Sequence, residues 1–333
     1  MSNYLRKFAG AAVCAAAIML CGCGADTEAK EEYRSEGIAF LEEGDYEAAI
    51  EAFQDALDES VGSVTALDLD ICYYKAEAQY LSGAYEDALE TYTAIINYNG
   101  DAKAYYLRGC LYYATGVENE AGQGAADFDA AVEADPDNYE LYIGIYETLT
   151  SVDISDGISM VTVDLTDEEI EEYLRTALDI KGTDAEDYMY KGCIYYILGE
   201  YDDALSYLEQ AVEKGETEAY YYLTQVYEAR GDSDAADAAF EQYINSEELD
   251  AQGLYEIGMT QMENGEYEDA ITCFTLGLAQ VECDCEQELR KGMILAYEYM
   301  GDFASAKEWA ADYAQDYPDD EEMQKEYTFL STR

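Results

Sequence analysis

The chain has 333 residues, with 75 Asp+Glu against 17 Lys+Arg, a formal net charge of -58, no histidine and 2 prolines. So negative a surface lacks the basic patches that hold nucleic-acid phosphates and is disfavoured against anionic lipid headgroups, so neither is expected as a direct partner. Without imidazole the commonest general base and metal ligand are gone, and no Gly-rich phosphate loop is present; no reaction, cofactor or metal site is predicted.

At the N-terminus, Arg6 and Lys7 precede an apolar stretch, Phe8 to Leu20, followed by small residues. This is the layout of a secretory signal peptide, and the stretch is too short to span a bilayer. It ends in Leu20, Cys21, Gly22 and Cys23, which resembles the lipobox of bacterial lipoproteins: Leu, a small residue, Gly or Ala, then Cys. The resemblance implies a signal peptide over 1–22, a diacylglycerol on the sulfur of Cys23, a lipidated tether over 23–29, and a lipid-anchored, extracytoplasmic place at the cell membrane of a bacterium. Cys21 fits less well, because Leu20 would then stand where a small residue is needed. An ordinary cleaved signal with incidental cysteines is the other reading. Acyl chains anchor because each buried methylene contributes about 0.8 kcal/mol.

From about residue 30 the apolar positions recur at three- and four-residue spacing, which predicts helices throughout. One motif returns: "GDYEAAIEAF" from Gly44, "GAYEDALETY" from Gly83, "GEYDDALSYL" from Gly199, "GDSDAADAAF" from Gly231, "GEYEDAITCF" from Gly265 and "GDFASAKEWA" from Gly301, with a looser copy from Gly122. The glycine predicts a left-handed turn after one helix, the alanine five on predicts a close approach by the next, and the larger residue nine on fills the groove between them. Seven before the turn the first helix carries a small residue: Gly37, Ala76, Gly109, Gly192, Thr224 or Gly258. The third copy has about three extra residues between Gly116 and Phe128. The stretch "SVDISDGISMVTVD", 151–164, reads as an extended loop inserted before a helical pattern resumes at Leu165. Pro136 and Pro318 stop helices. The acidic stretch from Asp319 predicts a last helix ending at Leu330.

A period near 34 residues built from two helices and a glycine turn resembles the tetratricopeptide repeat family. The resemblance covers nearly all of the chain after the signal peptide, and its implied fold is an all-α, right-handed α-solenoid. About eight repeats occupy 30–318, starting near Lys30, Leu69, Ala102, Tyr139, Ala185, Thr217, Ala251 and Gln287, with a capping helix over 319–333. In that family the first helices line a concave groove. Mapping its fifth position onto this chain points to Tyr73, Tyr106, Met189, Tyr221 and Tyr255, and its twelfth to Tyr80, Tyr113, Tyr196 and Met262. Such side chains suit a peptide or another protein; equally, many of the 35 tyrosines are needed as packing between helices. Arg34, Lys103 and Lys291 fall in different repeats, so no clamp for an acidic tail is expected, and Glu77, Glu147, Glu228 and Glu298 favour a basic or neutral ligand. Cys72, Cys110, Cys193 and Cys273 read as buried helical thiols. Cys283 and Cys285 form a weak metal signal, with a disulfide open to them on an oxidising surface.

The sequence thus predicts a protein- or peptide-binding scaffold for an envelope complex, its oligomeric state open. The runner-up is a solute-capturing lipoprotein that stacks glycans or small ligands in a Tyr-lined groove. A third reading is a structural envelope component without a groove ligand.

Overall fold

The structure, a computed structural model, describes residues 24–60, 62–115, 122–151, 165–246, 249–280, 283 and 285–332. The expected signal peptide (1–22), the lipid-bearing Cys23 and all of the 151–164 insertion except Ser151 lie outside the described residues. Among those residues there are 17 α-helices and no strand. The chain divides into two compact units, Met1–Lys181 and Gly182–Arg333.

The first unit packs α1 (Gly24–Glu43) on α2 (Tyr46–Asp58), α3 (Ala66–Ser82) on α4 (Tyr85–Asn99), α5 (Ala102–Thr115) on α6 (Gln123–Ala134), and α7 (Tyr139–Ser151) on α8 (Asp167–Leu178). The second pairs α9 (Ala185–Ile197) with α10 (Tyr201–Glu213), α11 (Ala219–Arg230) with α12 (Ser233–Ile244), α13 (Ala251–Asn264) with α14 (Tyr267–Leu278), and α15 (Glu286–Met300) with α16 (Phe303–Asp316). It ends in α17 (Glu321–Leu330).

Local chemistry sets these boundaries. Gly83 and Gly265 close α3 and α13 at φ +83° and +86°, a region where a Cβ is strained. In the Gly-Asp copies the next residue starts the following helix: Asp45, Asp232 and Asp302 each accept the backbone N–H three residues on. Thr65, Thr166 and Asp184 close reciprocal capping boxes with Asp68, Glu169 and Asp187.

The small residue and the large one of the motif meet. A Cβ on Gly37 would strike the Phe53 ring, one on Gly109 the Phe128 ring, and one on Gly258 the Phe274 ring, so each glycine exists to admit its partner from the second helix. The alanines at the close approach, Ala49, Ala88, Ala204, Ala270 and Ala306, have no exposed surface. In the third repeat Phe128, not Ala131, is the partner of Gly109, which places the three extra residues ahead of α6. Gly124 takes the alanine's place there because the Tyr113 ring presses on it.

Gly192 tests this packing. A Cβ there would lie 2.5 Å from Leu208 Cγ and 3.1 Å from the Leu208 backbone nitrogen, and Leu208 is fully buried. Overpacking costs about 1–3 kcal/mol, which outweighs the gain of up to about 1 kcal/mol in helix propensity. Gly192→Ala is therefore expected to lower the urea midpoint. Gly253→Ala, whose Cβ has no contact under 3.3 Å, leaves it unchanged or raises it.

The tether is corrected. Residues 24–29 are helical, because α1 runs back to Gly24 without a break. Glu28, Ala29 and Lys30 are strong helix formers, and Lys30 is fixed in place by an ion pair with Asp68 on α3. At the other end Leu330 of α17 is fully buried against Ile294, Ala306, Ala310 and Tyr313. Asp320 ties that helix down, accepting from Lys291 Nζ at 2.8 Å, from the Tyr313 hydroxyl at 2.9 Å and from the Met323 N–H.

Candidate functional site

The aromatic residues assigned to the groove pack first against their own repeats. Tyr73 on α3 places its ring centroid 6.4 Å from that of Tyr92 on α4. Tyr255 on α13 does the same with Phe274 on α14 at 6.2 Å, and Tyr221 on α11 with Tyr243 on α12 at 5.6 Å. Tyr80 meets Tyr85, and Tyr196 meets Tyr201, across the turns between paired helices. Each of these five tyrosines, and Met262, is half-buried and keeps one edge on the surface.

Tyr106, Tyr113 and Met189 are different. Only 5 %, 6 % and 3 % exposed, they are core residues: the two tyrosines flank the Phe128 ring, and Met189 packs with Ala204 and Leu208. The groove assignment does not hold for these three, because short repeats with glycine and alanine at the close approach need large side chains from the first helix to fill the remaining space. Cys23 lies outside the described residues.

The polar dressing differs between the units. In the first, the Tyr73 hydroxyl donates to Asp101 Oδ1 at 2.5 Å, and Lys103 Nζ stands 4.8 Å from the centre of the Tyr73 ring. Burial, then the bond to Asp101, raises the Tyr73 phenol well above its usual range, so it stays a neutral donor. Burial also raises the Glu77 carboxyl, with Lys103 partly offsetting it. The three cations of the groove reading are occupied separately: Arg34 pairs with Asp70 at 2.5 Å, Lys291 with Asp320, and Lys103 covers Tyr73.

In the second unit the acids gather. Burial raises the Glu228 carboxyl, as does repulsion from Glu266, Asp269 and Asp237; Asp269 is raised by burial and by Asp237, Glu266 and Glu268. Tyr196 and Tyr221 also feel the Glu228 charge, which places them beside it.

Residues not assigned from the sequence complete this face. Leu295 and Tyr299 on α15 are exposed, with Met300 next to them, and the Tyr299 ring stacks on Tyr267 at 5.5 Å. Counting from Gln287, they are the ninth and thirteenth residues of the last repeat, whereas the groove reading used only the fifth and twelfth.

A pH dependence follows. Glu228 and Asp269 hold protons more tightly folded than unfolded, so each weakens the fold above its raised pKa, and acidification towards the unfolded values of 4.5 and 3.8 relieves this. Asp68 and Asp320 act oppositely. Asp320 is lowered to about 2, chiefly by Lys291, so its stabilisation is full above 3.8 and is lost as pH falls through its folded value. The melting temperature is expected to rise from about pH 8 to about pH 5 and to fall below about pH 4, as circular dichroism melts across that range would show.

Among the described residues no disulfide forms, and the six cysteines there are thiols. Burial pushes the thiols of Cys110 and Cys273 up to about 11 and about 12, as expected of packing residues rather than nucleophiles. Cys285 is likewise raised by burial, with Cys283 beside it. Among the described residues no group of three or more His, Cys, Asp or Glu is placed to hold a metal ion.

Antiparallel helix pairs joined by a tight turn, repeated along the chain and locked small residue against large, define an all-helical repeat protein. Models of the tetratricopeptide repeat family match residues 34–102, 185–216 and 225–280. Over these three stretches the helix pairs are tetratricopeptide repeats. No curated protein matches it. Among solved structures it is similar to a tetratricopeptide repeat protein from Parabacteroides merdae, at 15 % identity over 81 % of this chain and 99 % of that one with a TM-score of 0.41. It is also similar to pilF of Pseudomonas aeruginosa, at 16 % identity over 67 % and 96 % with a TM-score of 0.39. A third likeness is to the C-terminal part of a repeat protein from Cytophaga hutchinsonii, at 16 % identity over 78 % and 98 % with a TM-score of 0.38. Likenesses this distant bear on neither function nor partner.

Proposed function

We propose that the protein is a lipid-anchored scaffold on the extracytoplasmic side of a bacterial membrane, where its repeats hold another protein or peptide for an envelope complex. The observation that carries this reading is the series of braced side chains on the first helices: Tyr73, Tyr80, Tyr196, Tyr221 and Tyr255, with Met262. Each of the five rings is propped by a ring of the same repeat. A propped aromatic with a free edge and a neutral hydroxyl loses little conformational entropy when it is covered, which is what makes such residues anchors in protein interfaces. The anchor half of the reading rests on Leu20 to Cys23 in the context of the preceding apolar stretch.

Purification of the full chain from detergent-solubilised membranes tests both halves. A protein that co-purifies in stoichiometric amount with the wild type, and is lost from a Tyr196→Ser, Tyr221→Ser, Tyr255→Ser variant that keeps its helical circular dichroism, supports the scaffold. Cys23→Ala is expected to abolish fatty-acid labelling and release the chain from the membrane fraction; unchanged labelling would remove the anchor. A raised melting temperature with glycans, and no co-purifying protein, would replace the scaffold by solute capture. Ligand at 100 times its dissociation constant contributes about 2.7 kcal/mol, a readily measured shift.

A further inference from the structure

The second unit leaves an apolar face uncovered. Leu295 and Tyr299 stand one helical turn apart on α15, 42 % and 66 % exposed, and Met300 beside them is 39 % exposed. Tyr299 is not a loose surface residue: its ring lies nearly parallel to that of Tyr267, at 12°, which fixes a flat aromatic surface at the start of α14. The neighbouring first helix, α13, adds the half-buried Tyr255 and Met262, and the Phe274 ring between Gly258 and Gly292 holds α13 and α15 side by side.

One rim of this face is acidic. Glu266 immediately precedes Tyr267, and the charges acting on Glu228 and Asp269 are all carboxylates. Glu268 and Asp269 have a local explanation, because the first turn of a helix favours acids. Glu228 has none: it lies in the last turn of α11, where the helix dipole opposes a negative charge, and it is an exposed residue faced by the carboxylates of Glu266, Asp269 and Asp237. A residue that conflicts with its own helix and its neighbours is not there for stability, and such conflicts collect at functional sites.

Charge decides what covers the face. A second copy of a chain with net charge -58, an acidic peptide and an anionic lipid surface are all repelled. We infer that this face docks a cationic amphipathic peptide segment of a partner protein, with its apolar side chains on Leu295, Tyr299 and Met300 and its Lys or Arg side chains on Glu228, Glu266 and Asp269. This deepens the scaffold reading and rests on it for the existence of a protein partner. The apolar contact supplies affinity that the general field of the chain does not, and the acidic rim selects the sign of the partner.

The test uses three synthetic peptides of equal length: one of Leu and Lys, one with Ser replacing each Leu, and one with Glu replacing each Lys. Fluorescence anisotropy with the full chain at about 0.15 M salt, where the screening length is about 8 Å, suppresses the distant field. The Leu–Lys peptide is expected to bind about ten-fold or more tightly than the Ser–Lys peptide. Leu295→Ser with Tyr299→Ser should erase that difference. Glu228→Gln with Asp269→Asn should weaken Leu–Lys binding while leaving the melting temperature unchanged or higher, which separates lost recognition from lost folding. Equal binding of the Ser–Lys and Leu–Lys peptides, or variants without effect, would overturn the inference. So would preference for the Leu–Glu peptide, or a dimer of the chain that the Leu295 and Tyr299 changes abolish. If that variant keeps the wild type's co-purifying protein, this face is not the dock although the scaffold stands. If the Leu–Lys peptide binds as expected and no protein co-purifies, the scaffold falls and the face remains.

Discussion

Phe274→Ala is expected to destabilise the second unit by about 3–5 kcal/mol, the range for emptying a buried phenylalanine site. Phe274 is fully buried. Its ring fills the space left by two glycines, Gly258 on α13 and Gly292 on α15, and carries Tyr255 against it. Because both neighbours lack a Cβ, the helices would have to shift as bodies to refill the cavity, so relaxation recovers little of the loss. The single tryptophan, Trp309, packs against the core that contains Phe274, so its fluorescence reports this region. In urea the fluorescence transition of the variant should move to lower concentration, ahead of part of the loss of helical circular dichroism. Repeat proteins depart readily from all-or-none unfolding, so the two signals should separate. Coincident transitions at the wild-type midpoint would show that Phe274 is not the wedge described.

Lys30→Met is expected to cost about 3–5 kcal/mol, because it strands a buried carboxylate. Lys30 and Asp68 are both buried, with Nζ 2.6 Å from Oδ1. Asp68 also accepts from the Ser60 hydroxyl and from the N–H and hydroxyl of Thr65, so it caps α3 as well as pairing with α1. Burial pushes its carboxyl up, but these donors outweigh burial and hold it well below the usual carboxylate range. Its contribution is therefore complete above the unfolded value of 3.8 and lost as pH falls through the folded one. Removing Lys30 deletes the charged donor and shifts the loss to higher pH. Adding Asp68→Asn to Lys30→Met should recover part of the stability, since no buried charge is then left. Thermal melts of the two variants across the acid range check both points. Equal stability of Lys30→Met and wild type would mean that the pair is solvated.

Much of this protein was readable before any fold was known. A glycine that must turn left-handed, an alanine that must lie close and a large residue four further on form a local code, because each demand is met by residues within one helix pair. Gly258 and Phe274 are found together in the structure as their spacing in the chain implies. The absence of histidine and the charge of -58 likewise act through composition alone. Tertiary structure decided what spacing leaves open, namely which large side chains face inward. Tyr106 and Tyr73 hold the same place in the repeat, yet Tyr106 is buried beside Phe128 and near Gly144 of α7, while Tyr73 keeps an edge exposed and binds Asp101. Burial there depends on the next helix pair, whose approach no single repeat encodes. The same holds for Glu228 and its acidic neighbours, which come from three helices and meet only when the pairs stack. It holds for Lys30 too, read only as the start of the first repeat and found 2.6 Å from a carboxylate 38 residues away.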